Sequence, residues 1–168
     1  MSFQVGDRIA HPLHGAGVIS EIERQRVDGT PRDYFVMHIS RGGMKVMIPV
    51  DACEQIGVRP IIDAPQAEAL FAAIPELTLP EDANWNKRYR ENMLQLKSGD
   101  LLKTAGVIKS LTLRERAHGL SNGERKMLHS AQQILLSEVM LALEESYEQV
   151  EQRLNTALGL EDGPDEPD

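Results

Sequence analysis

Residues 16–30, AGVISEIERQRVDGT, decide how the first third of the chain is read. They form one extended run that stops at Asp28-Gly29, a pair that accepts the positive φ of a two-residue hairpin turn. A hairpin needs a returning strand, and residues 34–39, YFVMHI, supply one rich in strand formers. Gly42-Gly43 then turns the chain into a fourth strand over 44–49, MKVMIP. Residues 5–10 read as a short strand before the long run, and 57–60 as a last short one. Four or five short strands in sixty residues make a small, strongly bent sheet or barrel. Gly6, Gly15 and Gly17 mark turns or a bulge.

Alternation divides residues 44–49 into two faces. Met44, Val46 and Ile48 point one way and read as core; Lys45, Met47 and Pro49 point the other. An exposed Met47 beside a proline that cannot complete a sheet ladder suits a partner surface. The alternative is that both faces are covered within the domain.

After Pro60 the pattern changes to helix. Residues 64–74 are alanine-rich, and the proline-punctuated PELTLPED follows as a linker. Asn84 is placed to cap a helix running to about Lys97, which Ser98-Gly99 breaks. Residues 100–118 form the next helix, with Leu101, Ala105, Ile108 and Leu111 at helical spacing. Gly119 ends it. Ser121 and Glu124 make a capping box for a helical pattern that continues to about Leu158, long enough that a bend or split is expected. The tail GLEDGPDEPD has no apolar pattern and is expected to be disordered. The expected class is α+β: a β domain over 1–60, a compact all-helical domain over 61–158 and an acidic tail over 159–168.

The 168 residues are 41% hydrophobic and 26% charged, enough to bury a core without staples. Cys53 is the single cysteine. It excludes an internal disulfide and fits a reducing cytosol. No basic, then apolar leader opens the sequence, and no apolar run is long enough for a membrane span, so a cytoplasmic protein is expected.

The formal net charge is −8, which alone argues against nucleic acid. The average conceals an asymmetry. Residues 1–83 carry 7 basic and 12 acidic side chains, residues 84–130 carry 10 and 4, and residues 131–168 carry 1 and 10. A basic middle between acidic blocks reads either as a polyanion-binding surface or as a solvated helical face.

Motifs for catalysis are missing. His11 and His14 in HPLHG have only His38 as a further candidate ligand, short of the three or four a metal needs. Cys53 has no partner base at a supporting spacing. GGMK lacks the spacing of a phosphate loop. Glu144, Glu145, Glu148 and Glu151 read as a solvated helix face. The chain is therefore expected to be no enzyme and to need no cofactor or metal.

The informative stretch is Asn84-Trp85-Asn86-Lys87-Arg88-Tyr89-Arg90. The only tryptophan of the chain stands at a helix start beside three cations. Helix amino ends favour phosphate, and an apolar wedge beside cations can enter a minor groove and unstack a base step. Against this, Trp85, Tyr89, Met93 and Leu96 share one helical stripe, so periodicity alone reads Trp85 as core.

These residues resemble the CarD/CdnL transcription regulators of bacteria, whose amino-terminal module is shared with the transcription-repair coupling factor. The resemblance is carried by VGDRIAHPLHGAGVISEIE, IPVDACEQIGVRPI, NWNKRYRENMLQLKSGD and GLSNGERKMLHSAQQILLSE, and runs from about Phe3 to Leu158. It implies a Tudor-like β module that binds the RNA polymerase β subunit by adding to its sheet edge. It also implies a helical domain that contacts promoter DNA in the minor groove at the upstream edge of the melted region. The family's wedge tryptophan falls on Trp85 and its basic neighbours on Lys87, Arg88 and Arg90, with Arg125 and Lys126 as further DNA candidates. The polymerase-binding strand falls on Met44 to Pro49, so Met44, Val46, Met47 and Pro49 are the expected contacts, together with Arg24. Some members use arginines where Gln25 and Met47 stand here, which makes the contact here an apolar one. The resemblance further implies a monomer, associated with the nucleoid through polymerase, that stabilises the open promoter complex. The alternatives are a polymerase adaptor without a DNA role and a Tudor-like peptide reader. The reader would need an aromatic cage that Phe3, Tyr34 and Phe35 do not provide.

Overall fold

The computed structural model describes residues 2–79 and 84–160. The first sixty residues form five antiparallel strands: β1 (Arg8–His11), β2 (Gly15–Val27), β3 (Thr30–Ile39), β4 (Lys45–Pro49) and β5 (Arg59–Pro60). They lie in the order β4-β3-β2-β1-β5, so β4 is an edge. The hairpin between β2 and β3 turns at Asp28 and Gly29, with φ of 53° and 80°, as a two-residue turn of the primed kind requires. A register shift between Ile19 and Glu21 bends the sheet at Ser20. The bulge therefore falls on a serine and not on a glycine. Gly17 has a different task. A Cβ there would run into the His38 carbonyl on the neighbouring strand.

Ile9, Ile19, Phe35, Met37, Ile39 and Ile48 fill the core of this sheet, joined by Cys53 from the short helix α1 (Cys53–Ile56) and by Val58. The alternation expected for β4 holds for four residues. Ile48 is buried and Val46 packs against the core, while Met47 and Pro49 pair with Val36 and Tyr34 on the other face. Met44 departs from it. Two consecutive positive-φ glycines, Gly42 and Gly43, lengthen the turn, and the Met44 carbonyl accepts the Ile39 N–H at 2.8 Å. Its side chain is left outside the strand, 48% exposed.

The second half is helical: α2 (Ala64–Ala73), α3 (Trp85–Lys97), α4 (Leu101–His118), α5 (Asn122–Leu143) and α6 (Tyr147–Ala157). Side-chain caps set the starts. Asp63, Asn84, Asp100, Ser121 and Ser146 each accept a backbone N–H of the first turn. The long carboxy-terminal helical pattern splits at Glu144, whose φ of 54° ends α5. The helices share one core around α5 and α4, with Ile108, Leu111, Leu135, Val139, Val150 and Leu154 at its centre. Part of the expected linker, residues 80–83, and the tail from 161 lie outside the described residues.

The two halves meet along α5. Gly15 and Ala16, at the start of β2, lie against Ser137. The Ala16 N–H donates to Ser137 Oγ at 2.8 Å, and a Cβ on Gly15 would meet that oxygen. Gly15 has φ +104°, so glycine is required there on both counts. Arg41, in the turn before β4, donates to Gln133 Oε1 at 2.9 Å and stacks over Tyr147.

Candidate nucleic-acid interface

The amino ends of α3 and α5 come together, and Trp85 joins them. Its indole stacks on Tyr89 with ring centroids 4.9 Å apart, and its Nε1–H donates to Ser121 Oγ at 3.3 Å. Gly123 supplies the floor: a Cβ there would sit 3.5 Å from the Tyr89 ring and 3.9 Å from the Trp85 ring. The tryptophan is nevertheless 42% exposed. It caps the end of the apolar stripe and presents one face outward, with no place in the core. The sequence could not have shown that Ser121, the cap of α5, also holds the indole, because the two residues are 36 positions apart.

Two helix amino ends side by side place the positive ends of two dipoles at one surface. Lys87 and Arg90 on α3 and Arg125 and Lys126 on α5, all within the first two turns of these helices, are exposed. Arg125 is steadied by the Leu120 carbonyl at 2.9 Å and by Asn122 Oδ1 at 3.3 Å.

Arg88 does not belong to that surface. It is 9% exposed, and its Nε donates to Glu124 Oε2 at 3.1 Å. Glu124, 2% exposed, also faces Arg114 at 4.0 Å and closes the capping box with Ser121. Arg88 therefore ties α3 to α5 beneath Trp85, and its expected contact with phosphate gives way to this buried ion pair.

In the β sheet, the outer edge of β4 has no strand beside it among the described residues. Met47 is half-buried, with Gln25 Nε2 3.8 Å from its sulfur. Arg24 is exposed and paired with Asp33 at 2.8 Å, a partner that raises the guanidinium pKa and lowers that of the carboxylate. Of the side chains expected here, Met44 and Arg24 are exposed and Met47 and Pro49 half-buried, while Val46, also half-buried, packs against the core. His11 and His14 stack with ring centroids 4.5 Å apart. Among the described residues no three His, Cys, Asp or Glu side chains gather as metal ligands, and no helix is long and apolar enough to cross a membrane.

Both halves match known family models. Residues 3–62 match the CarD-like/TRCF RID domain, and residues 69–155 match the CarD C-terminal domain. The chain belongs to the CarD family. Among curated proteins it is similar to YdeB of Bacillus subtilis (strain 168), designated a candidate transcription factor. The two are 31% identical over 137 residues, 82% of this chain and 90% of that protein. Among solved structures it is similar to the 72-residue N-terminal domain of Myxococcus xanthus CarD, determined in solution. That match has 32% identity and a TM-score of 0.31, and covers 35% of this chain and 79% of that one. This CarD-family chain is thus a transcription factor in type, and the family is not an enzyme class.

Proposed function

We propose that this CarD-family protein binds the RNA polymerase β subunit through the β4 edge and the upstream edge of the melted promoter through the Trp85 end, and so lengthens the life of the open complex. The observation that carries this reading is the exposed indole of Trp85 where the amino ends of α3 and α5 meet, with Lys87, Arg90, Arg125 and Lys126 exposed in the first two turns of the same two helices. A flat apolar group among cations suits a base step opened in a narrow groove. The edge of β4 supports the other contact: its backbone groups can pair with a strand of the polymerase, and Met47 and Pro49 offer apolar surface beside them. Two weak contacts in one chain reinforce each other through effective concentration, so the factor acts where polymerase has already opened DNA.

The test is open-complex lifetime on a promoter, measured with and without the protein by challenge with a competitor. The expected result is a longer lifetime, with footprint protection at the upstream edge of the bubble. Binding to polymerase with no change in lifetime and no protection would favour an adaptor without a DNA role.

A further inference from the structure

Along its length α5 does two things. Its first two turns carry Arg125 and Lys126 near the Trp85 end, and some two to four turns later Gln133, Ser137 and Glu138 hold the β module. The Glu138 carboxylate is 1% exposed and accepts three hydrogen bonds: from Arg59 Nη1 at 2.6 Å, from Arg59 Nη2 at 2.9 Å and from the Ile62 N–H at 2.8 Å. Arg59 lies in β5 and also donates to the carbonyls of Pro60 and Gly99, each at 3.1 Å. One buried carboxylate thus fastens the last strand, the chain leading into α2 and the turn before α4 to the middle of α5.

An apolar pair of similar volume could hold these segments about as firmly, because the buried Glu138 and the half-buried Arg59 give up hydration to pair. The bidentate fork adds direction, since its two parallel bonds fix both angle and distance. Helical rise puts Glu138 about 20 Å along α5 from Arg125. A clamp at that point fixes the angle at which the rod, and with it the nucleic-acid end, leaves the β module.

We propose that Glu138 is a positioning residue that holds the β4 edge and the Trp85 end at one relative orientation. Its functional part rests on the two-contact reading above; its geometric part does not. Neither Glu138 nor Arg59 lies at either contact surface, so changing them leaves each separate contact intact while loosening their relation. Glu138→Gln keeps the volume and removes the charge. Arg59→Lys keeps the charge and removes the fork, and provides the folded variant should Glu138→Gln be too unstable to study.

The geometry is read with spin labels at Glu21→Cys and Glu115→Cys in the full chain, giving one narrow distance distribution in the parent and a broader or shifted one in the variants. A distribution as narrow and as centred as the parent's in both variants overturns the clamp. In parallel, binding to a polymerase β fragment and to forked DNA should each match the unlabelled parent, while open-complex lifetime falls between about twofold and about thirtyfold. A broadened distribution with unchanged lifetime overturns the positioning role. If the parent itself does not extend the lifetime, it is the two-contact reading that fails, and the distance measurement still decides the clamp.

Discussion

Three side chains show how environment assigns tasks that residue type leaves open. Trp85 is 42% exposed, so Trp85→Ala should cost about 0.5–1.5 kcal/mol, chiefly its stacking on Tyr89. A core tryptophan would cost about 3–5 kcal/mol. Open-complex lifetime should fall on the same variant while polymerase binding persists. A large drop in melting temperature without a specific loss of lifetime would return Trp85 to the core. Arg88 is the inverse case. Arg88→Ala leaves Glu124 buried without its closest partner and should cost about 3–5 kcal/mol in a denaturant titration. His11 gives a pH effect. Burial, and then the neighbouring His14, lower its pKa from 6.5 to about 4, and its Nδ1 accepts the Leu13 N–H at 3.1 Å. The folded state therefore holds the neutral ring where the unfolded chain takes up a proton. Its contribution is complete above pH 6.5 and is lost as the pH falls toward 4. His11→Asn should flatten this part of the profile of melting temperature against pH, and parallel profiles would discard the assignment.

At the scale of elements, β4 and α3 show how far the sequence could be read. The strand alternation, the Asp28-Gly29 turn, the Asn84 cap and the Ser121–Glu124 box all depend on neighbours within a few residues, and each is found in the structure. The direction of Arg88 depends on Glu124, 36 positions away, and residue type alone does not separate Arg88 from Lys87 or Arg90. Helical phase offered a partial signal. Arg88, Asn92, Leu96, Tyr89 and Met93 span one arc of α3 with Arg88 at its rim, whereas Lys87 and Arg90 fall outside it. Trp85 shares the direction of that arc, so its exposure comes from its place in the first turn and not from its phase. The contact between α5 and β2 was hidden for the same reason. Ser137 and Glu138 look like ordinary helix residues until Gly15, Ala16 and Arg59 are brought to them. On β4, Met47 lies on the face away from the core, across from Val36. Met47→Lys should weaken binding to the polymerase β subunit by about 1–3 kcal/mol in a direct titration, with the fold retained. Wild-type affinity in a folded variant would move the contact off this face.

Over the whole molecule the charge is arranged against indiscriminate DNA binding. The formal net charge of −8 repels a duplex at a distance, while residues 84–130 carry 10 basic and 4 acidic side chains. Beyond a Debye length the acidic blocks dominate, and on the proposed reading Lys87, Arg90, Arg125 and Lys126 meet phosphate only at contact. Isolated protein should therefore bind DNA weakly, and polymerase should supply the local concentration that makes the contact effective. The four exposed cations also set how binding responds to salt. Each neutralised phosphate contributes about −0.9 to the slope of log K against log salt on duplex DNA, so the parent slope should be about −3 to −4. Lys87→Gln with Arg90→Gln should reduce its magnitude by about 2 with the fold retained, because both side chains are exposed. Arg88→Gln should do the opposite, lowering stability through Glu124 while leaving the slope of the remaining folded protein close to the parent's. An unchanged slope in the double variant would shift the interface toward Arg125 and Lys126. A reduced slope in folded Arg88→Gln would mean that the buried pair opens when DNA binds.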